Sequence, residues 1–128
     1  MASAVSAKPP VRAFLLDTQR ELAKNNDCLM DGRDIGTVVL PNATVKIYLT
    51  ASAEDRAMRR YKELIEKGQT AKYKDVYDDM VQRDYNDMHR AHAPLRQADD
   101  AVVADTTHLD LEGSLKLILN IVKEGLNI

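Results

Sequence analysis

Apolar positions along the chain follow two rhythms, a helical spacing and short continuous runs of strand length. Val11, Phe14, Leu15 and Leu22 recur near the helical period after Pro9-Pro10, a pair suited to a first helical turn. Asn25-Asn26-Asp27 supplies the stop. Cys28-Leu29-Met30 then reads as a short buried strand ending on Asp31-Gly32. The clearest strand is Val45-Lys46-Ile47-Tyr48-Leu49-Thr50, β-branched and set between Pro41-Asn42 and a helix start. Ser52 is a good N-cap, Glu54 and Asp55 complement the helix dipole, and the helix runs from about Ala53 to Lys67, ending at Gly68. A second, very polar helix covers about Lys72 to Arg90, with Val76, Tyr77 and Met80 inward and Pro94 beyond its end. Ala101–Asp105 is a further short strand, and the last helix places Leu111, Leu115, Ile118, Leu119 and Val122 on one stripe.

Short apolar strands alternating with helices predict an α/β fold, a short parallel sheet flanked by helices. About three strands is few, since such sheets average nearer five or six, and the sheet reads as incomplete. No repeat, low-complexity stretch or second domain is visible. Composition changes this picture little: 128 residues, 45% apolar and 30% charged, suit one ordinary globular domain. A net charge of -2 and scattered Tyr residues give no basis for nucleic acid or an anionic membrane surface. The longest apolar run, near Thr37–Leu40, is too short to span a bilayer. With Cys28 alone there is no internal disulfide, and no signal-peptide pattern occurs, so a reducing, cytoplasmic setting is expected.

Three polar constellations could carry chemistry. Asp31-Gly32-Arg33-Asp34-Ile35-Gly36 follows the first expected strand, where α/β sheets place ligands. Arg33 can fork onto a phosphate and Asp34 can accept from a base amino group; composition alone favours a charged turn closed by an internal Arg–Asp pair. Arg83, Asp87 and Arg90 stand at i, i+4 and i+7 on one helix face, suited either to a phosphorylated sugar or to solvent. Arg56, Arg59 and Arg60 can neutralise a transferring phosphoryl group, or pair at the surface with Glu54 and Glu63. His89, His92 and His108 lack metal-site spacing, and no metal ligands are assigned. Cys28 reads as a small core residue.

Taken in order, these pieces resemble the bacterial cytidylate kinase family. Asp31–Val39 is similar to its D-G-R-D-[IM]-G-T-V-V segment, and Val45–Arg60 (VKIYLTASAEDRAMRR) to its strand and arginine-bearing helix. Arg83–Leu95 matches R-D-x-x-D-x-x-R-x-x-A-P-L, Ala101–Leu109 the strand and D-[ST]-T turn, and Ala2–Arg12 the A-S-x-V-[AS]-x-x-P-x-V-R segment. The resemblance implies a partial P-loop kinase fold in one domain. Residues 1–27 would end the monophosphate-binding region, 28–52 form core strands, 53–92 the lid and flanking helices, and 93–128 the last strand and helix. It implies transfer of the ATP γ-phosphoryl group to CMP or dCMP, with Mg²⁺, in pyrimidine nucleotide metabolism. Ser3, Arg12 and Asp34 would read the cytosine. Arg33 and Arg90 would hold the CMP phosphate, and Arg83 and Asp87 the sugar. Arg56, Arg59 and Arg60 would form a lid over the ATP phosphates, in which Met58 stands where many relatives carry another basic residue.

One family element does not occur in these 128 residues: the G-x-x-x-x-G-K-[ST] loop that cradles ATP. The expectation is therefore a chain with the acceptor site but without the donor site, inactive alone, marginally stable, and able to self-associate through an exposed sheet edge. A non-catalytic nucleotide-binding or complementation module is the alternative.

Overall fold

Residues 4–5, 8–91 and 94–128 are described by a computed structural model of the chain. Among them, helix α1 (Pro9–Asn25) is followed by a π-turn (Ile35–Val39), strand β1 (Ile47–Thr50) and helices α2 (Ala53–Glu66) and α3 (Tyr73–His89). Strand β2 (Val102–Asp105) and helix α4 (Leu111–Leu126) complete the order.

The helix ends follow local chemistry. Pro9 and Pro10 occupy the first positions of α1, where their fixed φ fits and no N–H is needed. Ser52 Oγ accepts from the Asp55 amide at 3.1 Å to start α2, and Gly68 closes it at a φ of 75°, a left-handed value that favours glycine. Asp110 caps α4 by accepting from the Gly113 amide at 2.7 Å.

β1 and β2 pair in parallel, Ile47 opposite Val102 through Thr50 opposite Asp105. The connection between them is the α2–α3 helical pair, whose members pack most extensively on each other. Val76, Tyr77 and Met80 are half-buried on the inner side of α3, as the sequence predicts. Tyr73 joins Tyr61 and Tyr77 at ring separations of 6.4 and 6.2 Å. Val39, Ala51, Ala57, Ala104 and Ile121 are the buried apolar residues.

Two expectations are corrected. No strand forms at Cys28-Leu29-Met30; Cys28 is exposed and Leu29 is 85% exposed. A strand must pair its backbone N–H and C=O groups, and among the described residues β1 pairs only with β2. The inward stripe of α4 is also different. Leu111, Leu115 and Leu119 are exposed, while Leu117, Ile118, Ile121 and Val122 turn inward. Gly125 sets this rotation, because a Cβ there would lie 2.5 Å from Val45 Cγ2. The helix meets the chain along the Gly125 face, which includes Ile121 and Leu117 at four-residue steps. Leu49, Val102 and Val103 of the sheet are exposed, although parallel sheets normally have both faces covered. No helix of the described residues is long and apolar enough to cross a membrane.

Candidate functional site

The D-G-R-D segment leads into the π-turn, and Asp34 starts that turn. The Asp34 carbonyl accepts from the Val38 and Val39 amides at 2.9 and 3.2 Å, and the Leu40 amide donates to Ile35 at 2.7 Å. Asp34 is only 8% exposed, and an ion pair with Arg12 of α1 supplies the countercharge that a buried carboxylate needs. Arg20, further along α1, donates to the Val39 and Val38 carbonyls at 3.0 and 2.8 Å. Lys46 donates to the Pro41 carbonyl at 2.5 Å and pairs with Asp100 at 2.8 Å, which holds the Asp100 carboxyl below its usual range.

Arg33 leaves its own turn and reaches α3, where Nε lies 2.6 Å from Asp87 Oδ2. The internal Arg–Asp turn pair is therefore not formed, and two separate motifs are joined instead. Beside this contact opens a hollow of about 470 Å³ lined by Arg33, Asp79, Gln82, Arg83, Asn86 and Asp87. Arg83 makes no ion pair among the described residues. Arg90 is half-buried at the end of α3. Ser3 lies outside the described residues. A second hollow of similar volume runs along α1 at Asp17, Thr18, Glu21, Leu22, Asn25 and Asn26; without a cation it is unsuited to a phosphate.

The three arginines expected to form a lid, Arg56, Arg59 and Arg60, are not gathered at one point. Arg56 grips Asp84 of α3 through two nitrogens at 3.1 and 2.6 Å and donates Nε–H to the Ala51 carbonyl at 3.0 Å. The hydrogen bond to Asp84 raises the Arg56 pKa further, with burial opposing. Arg59 donates to the Thr106 and Leu109 carbonyls at 2.5 and 3.3 Å and lies 2.5 Å from Asp55. Arg60 pairs at the surface with Glu63 at 2.9 Å. The Glu63 carboxyl is held low, chiefly by Lys67 and then by Arg60. Of the surface pairs considered from the sequence, the one with Glu63 forms; Glu54 is replaced by Asp55 and Asp84.

The turn after β2 is tied to the same region. The Thr107 hydroxyl and amide donate to Asp105 Oδ1 at 2.6 and 2.9 Å and lower the carboxyl pKa. The Thr107 oxygen accepts from the Ser52 amide at 2.8 Å, joining this turn to the start of α2. Sequence reasoning passed over Arg20, Lys46, Asp84 and Thr107. Asp84 sits inside a motif already singled out, but no spacing signal links it to Arg56, 28 positions away.

The architecture is an α/β layout in which the D-G-R-D segment meets the R-D-x-x-D-x-x-R helix through Arg33 and Asp87. The cytidylate kinase family profile matches residues 1–124. The chain belongs to the cytidylate kinase family. Its fold is accordingly part of the P-loop nucleoside monophosphate kinase fold. It is 51% identical over 123 residues to the cytidylate kinase of Thermosipho melanesiensis, covering 96% of this chain and 57% of that relative. To that of Ligilactobacillus salivarius it is 52% identical over 122 residues, covering 95% and 54%. To that of a Geobacter species it is 48% identical over 126 residues, covering 98% and 54%. The chain thus spans little more than half the length of these cytidylate kinases.

Proposed function

We propose that these 128 residues supply the acceptor side and lid of a (d)CMP kinase, which transfers the ATP γ-phosphoryl group to CMP or dCMP to give CDP or dCDP. The observation that supports this reading is the Arg33–Asp87 contact of 2.6 Å, which sets a guanidinium able to take a phosphate beside a carboxylate able to take a sugar hydroxyl, at one hollow. In this reading Ser3, Arg12 and Asp34 meet the cytosine. Asp34 accepts from its exocyclic amine, Arg33 and Arg90 take the phosphate, and Arg83 and Asp87 take the sugar. Arg12 pairs with the Asp34 carboxylate and orients it toward the base. Arg56, Arg59 and Arg60 belong to the lid, Arg60 being the most accessible to a triphosphate. The layout of connecting helix (1–27), core (28–52), lid (53–92) and closing strand and helix (93–128) is part of the proposal, as are a cytoplasmic setting and a place in pyrimidine nucleotide metabolism.

The reaction needs ATP and Mg²⁺. The phosphate loop pattern does not occur in these 128 residues, and among the described residues no group of three or more His, Cys, Asp or Glu could hold a metal ion. Because the ATP phosphate loop is not among these 128 residues, we infer that they do not turn over alone. Calorimetric titration with CMP and an assay of ATP-dependent CDP formation test both halves. CMP binding without turnover is expected. Robust turnover sinks the inactivity claim, and no CMP binding sinks the acceptor-site reading. The unmatched length of the relatives favours one further reading, a complementation module. Restored turnover on adding a polypeptide with the rest of the family sequence supports it, and continued inactivity counts against it.

Leu49, Val102 and Val103 leave exposed apolar sheet surface, and both strands are edges among the described residues. We expect concentration-dependent self-association by sedimentation velocity; a monomer at every concentration tested refutes it.

A further inference from the structure

We propose that Arg20 is a positioning residue for base recognition, fixing the Asp34 carboxylate by clamping the far end of the π-turn. The inference rests on the reading above that Asp34 meets the cytosine. Arg12 and Arg20 are eight residues apart on α1, slightly more than two helical turns, and so share a face. They hold the two ends of one segment. Arg12 pairs with the Asp34 side chain, and Arg20 takes the Val39 carbonyl through Nε at 3.0 Å and the Val38 carbonyl through a terminal nitrogen at 2.8 Å.

Those carbonyls lie at the end of a helical turn, where intrahelical partners run out and a cation complements the negative pole. The same two residues direct their amides back to the Asp34 carbonyl, at 2.9 and 3.2 Å. Arg20 therefore holds the Val38 and Val39 carbonyls at one end of the turn while the Asp34 carbonyl holds their amides at the other. Lys46 extends the frame by taking the Pro41 carbonyl at 2.5 Å. With its backbone held this way, the Asp34 carboxylate has one direction in which to face Arg12 and a base. Without Arg20 the turn can loosen, and a loosened carboxylate discriminates an amine from a carbonyl less sharply.

Arg20 is exposed and does not line the hollow beside Asp87. Water can solvate the carbonyls it leaves, so R20M is expected to keep nearly the same urea unfolding midpoint. Two readouts test the proposal in the full 128-residue chain. Hydrogen exchange at the Val38 and Val39 amides is expected to quicken roughly tenfold in R20M, and the CMP-to-UMP affinity ratio to fall by roughly five- to tenfold. R20K, with one compact donor group, is expected to restore part of both. Unchanged exchange at Val38 and Val39 overturns the proposal whatever the ligand data show. Faster exchange with an unchanged CMP-to-UMP ratio also overturns it, because the clamp is then only structural. No CMP binding by the unsubstituted chain removes the acceptor-site reading and this one together; binding with an unchanged ratio removes this one alone.

Discussion

Arg33→Ala is expected to weaken CMP binding by roughly a hundredfold, because it removes the proposed phosphate ligand and strands a charged partner. Asp87 is mostly buried, its side chain 19% exposed, and Arg33 is its ion-pair partner. Once Arg33 is gone, Asp87 remains as an unpaired carboxylate beside the hollow proposed for an anionic ligand. Lysine is expected to rescue poorly, since a compact ammonium cannot reproduce the guanidinium fork. The double variant R33A/D87A separates the causes. If stranded charge accounts for part of the loss, removing both partners recovers some affinity, while the phosphate contact stays lost. CMP titration of each variant reads the effect, and near-normal binding by R33A refutes Arg33 as a phosphate ligand.

The second large effect concerns folding. Asp84→Ala is expected to destabilise the chain by about 2 kcal/mol, measured by urea unfolding. Arg56 donates three hydrogen bonds, two to Asp84 and one to the Ala51 carbonyl, and they tie the end of β1 to both α2 and α3. The partners are about one-third exposed, at 33% and 29%, so the figure stays below that of a fully buried pair. Arg56→Ala is expected to cost a similar amount, again about 2 kcal/mol, and the double variant clearly less than the sum. Strictly additive losses would show that the two residues act independently and would remove the fastening between α2 and α3.

Elements with local signals were legible in the sequence. α2 carries its own start at Ser52 and its own stop at Gly68, and both act as read. The prolines of α1 and the β-branched run of β1 are equally local. Errors arose where distant partners decide. Cys28-Leu29-Met30 has strand character but no ladder to join among the described residues, and the rotation of α4 depends on Gly125 meeting Val45, 80 positions earlier. The π-turn gave no periodic signal, because five residues, Ile35–Val39, are too few to show a period.

The site divides the same way. Motif order pointed to Arg12, Arg33, Asp34 and Asp87 without showing which would pair. Arg33 faces two aspartates in sequence, its neighbour Asp34 and the distant Asp87, and the fold chooses the distant one. In the sequence Arg56 and Arg59 read either as phosphate ligands or as surface residues paired with Glu54 and Glu63. Apart from Asp55 on the same helix, their partners Ala51, Asp84, Thr106 and Leu109 come from other segments and cannot be read from that helix alone.

The π-turn has a consequence for how this segment can change through insertion and deletion. Val38 and Val39 both return their amides to one carbonyl, that of Asp34, so the turn has a fixed residue count. Deleting one residue would rotate everything beyond it by about 100°, taking the carbonyls held by Arg20 out of reach while leaving the Arg12 partner in place. Apolar substitutions at Ile35 or Val38 keep that count. Between Asp34 and Leu40, chain length is constrained more tightly than side-chain identity.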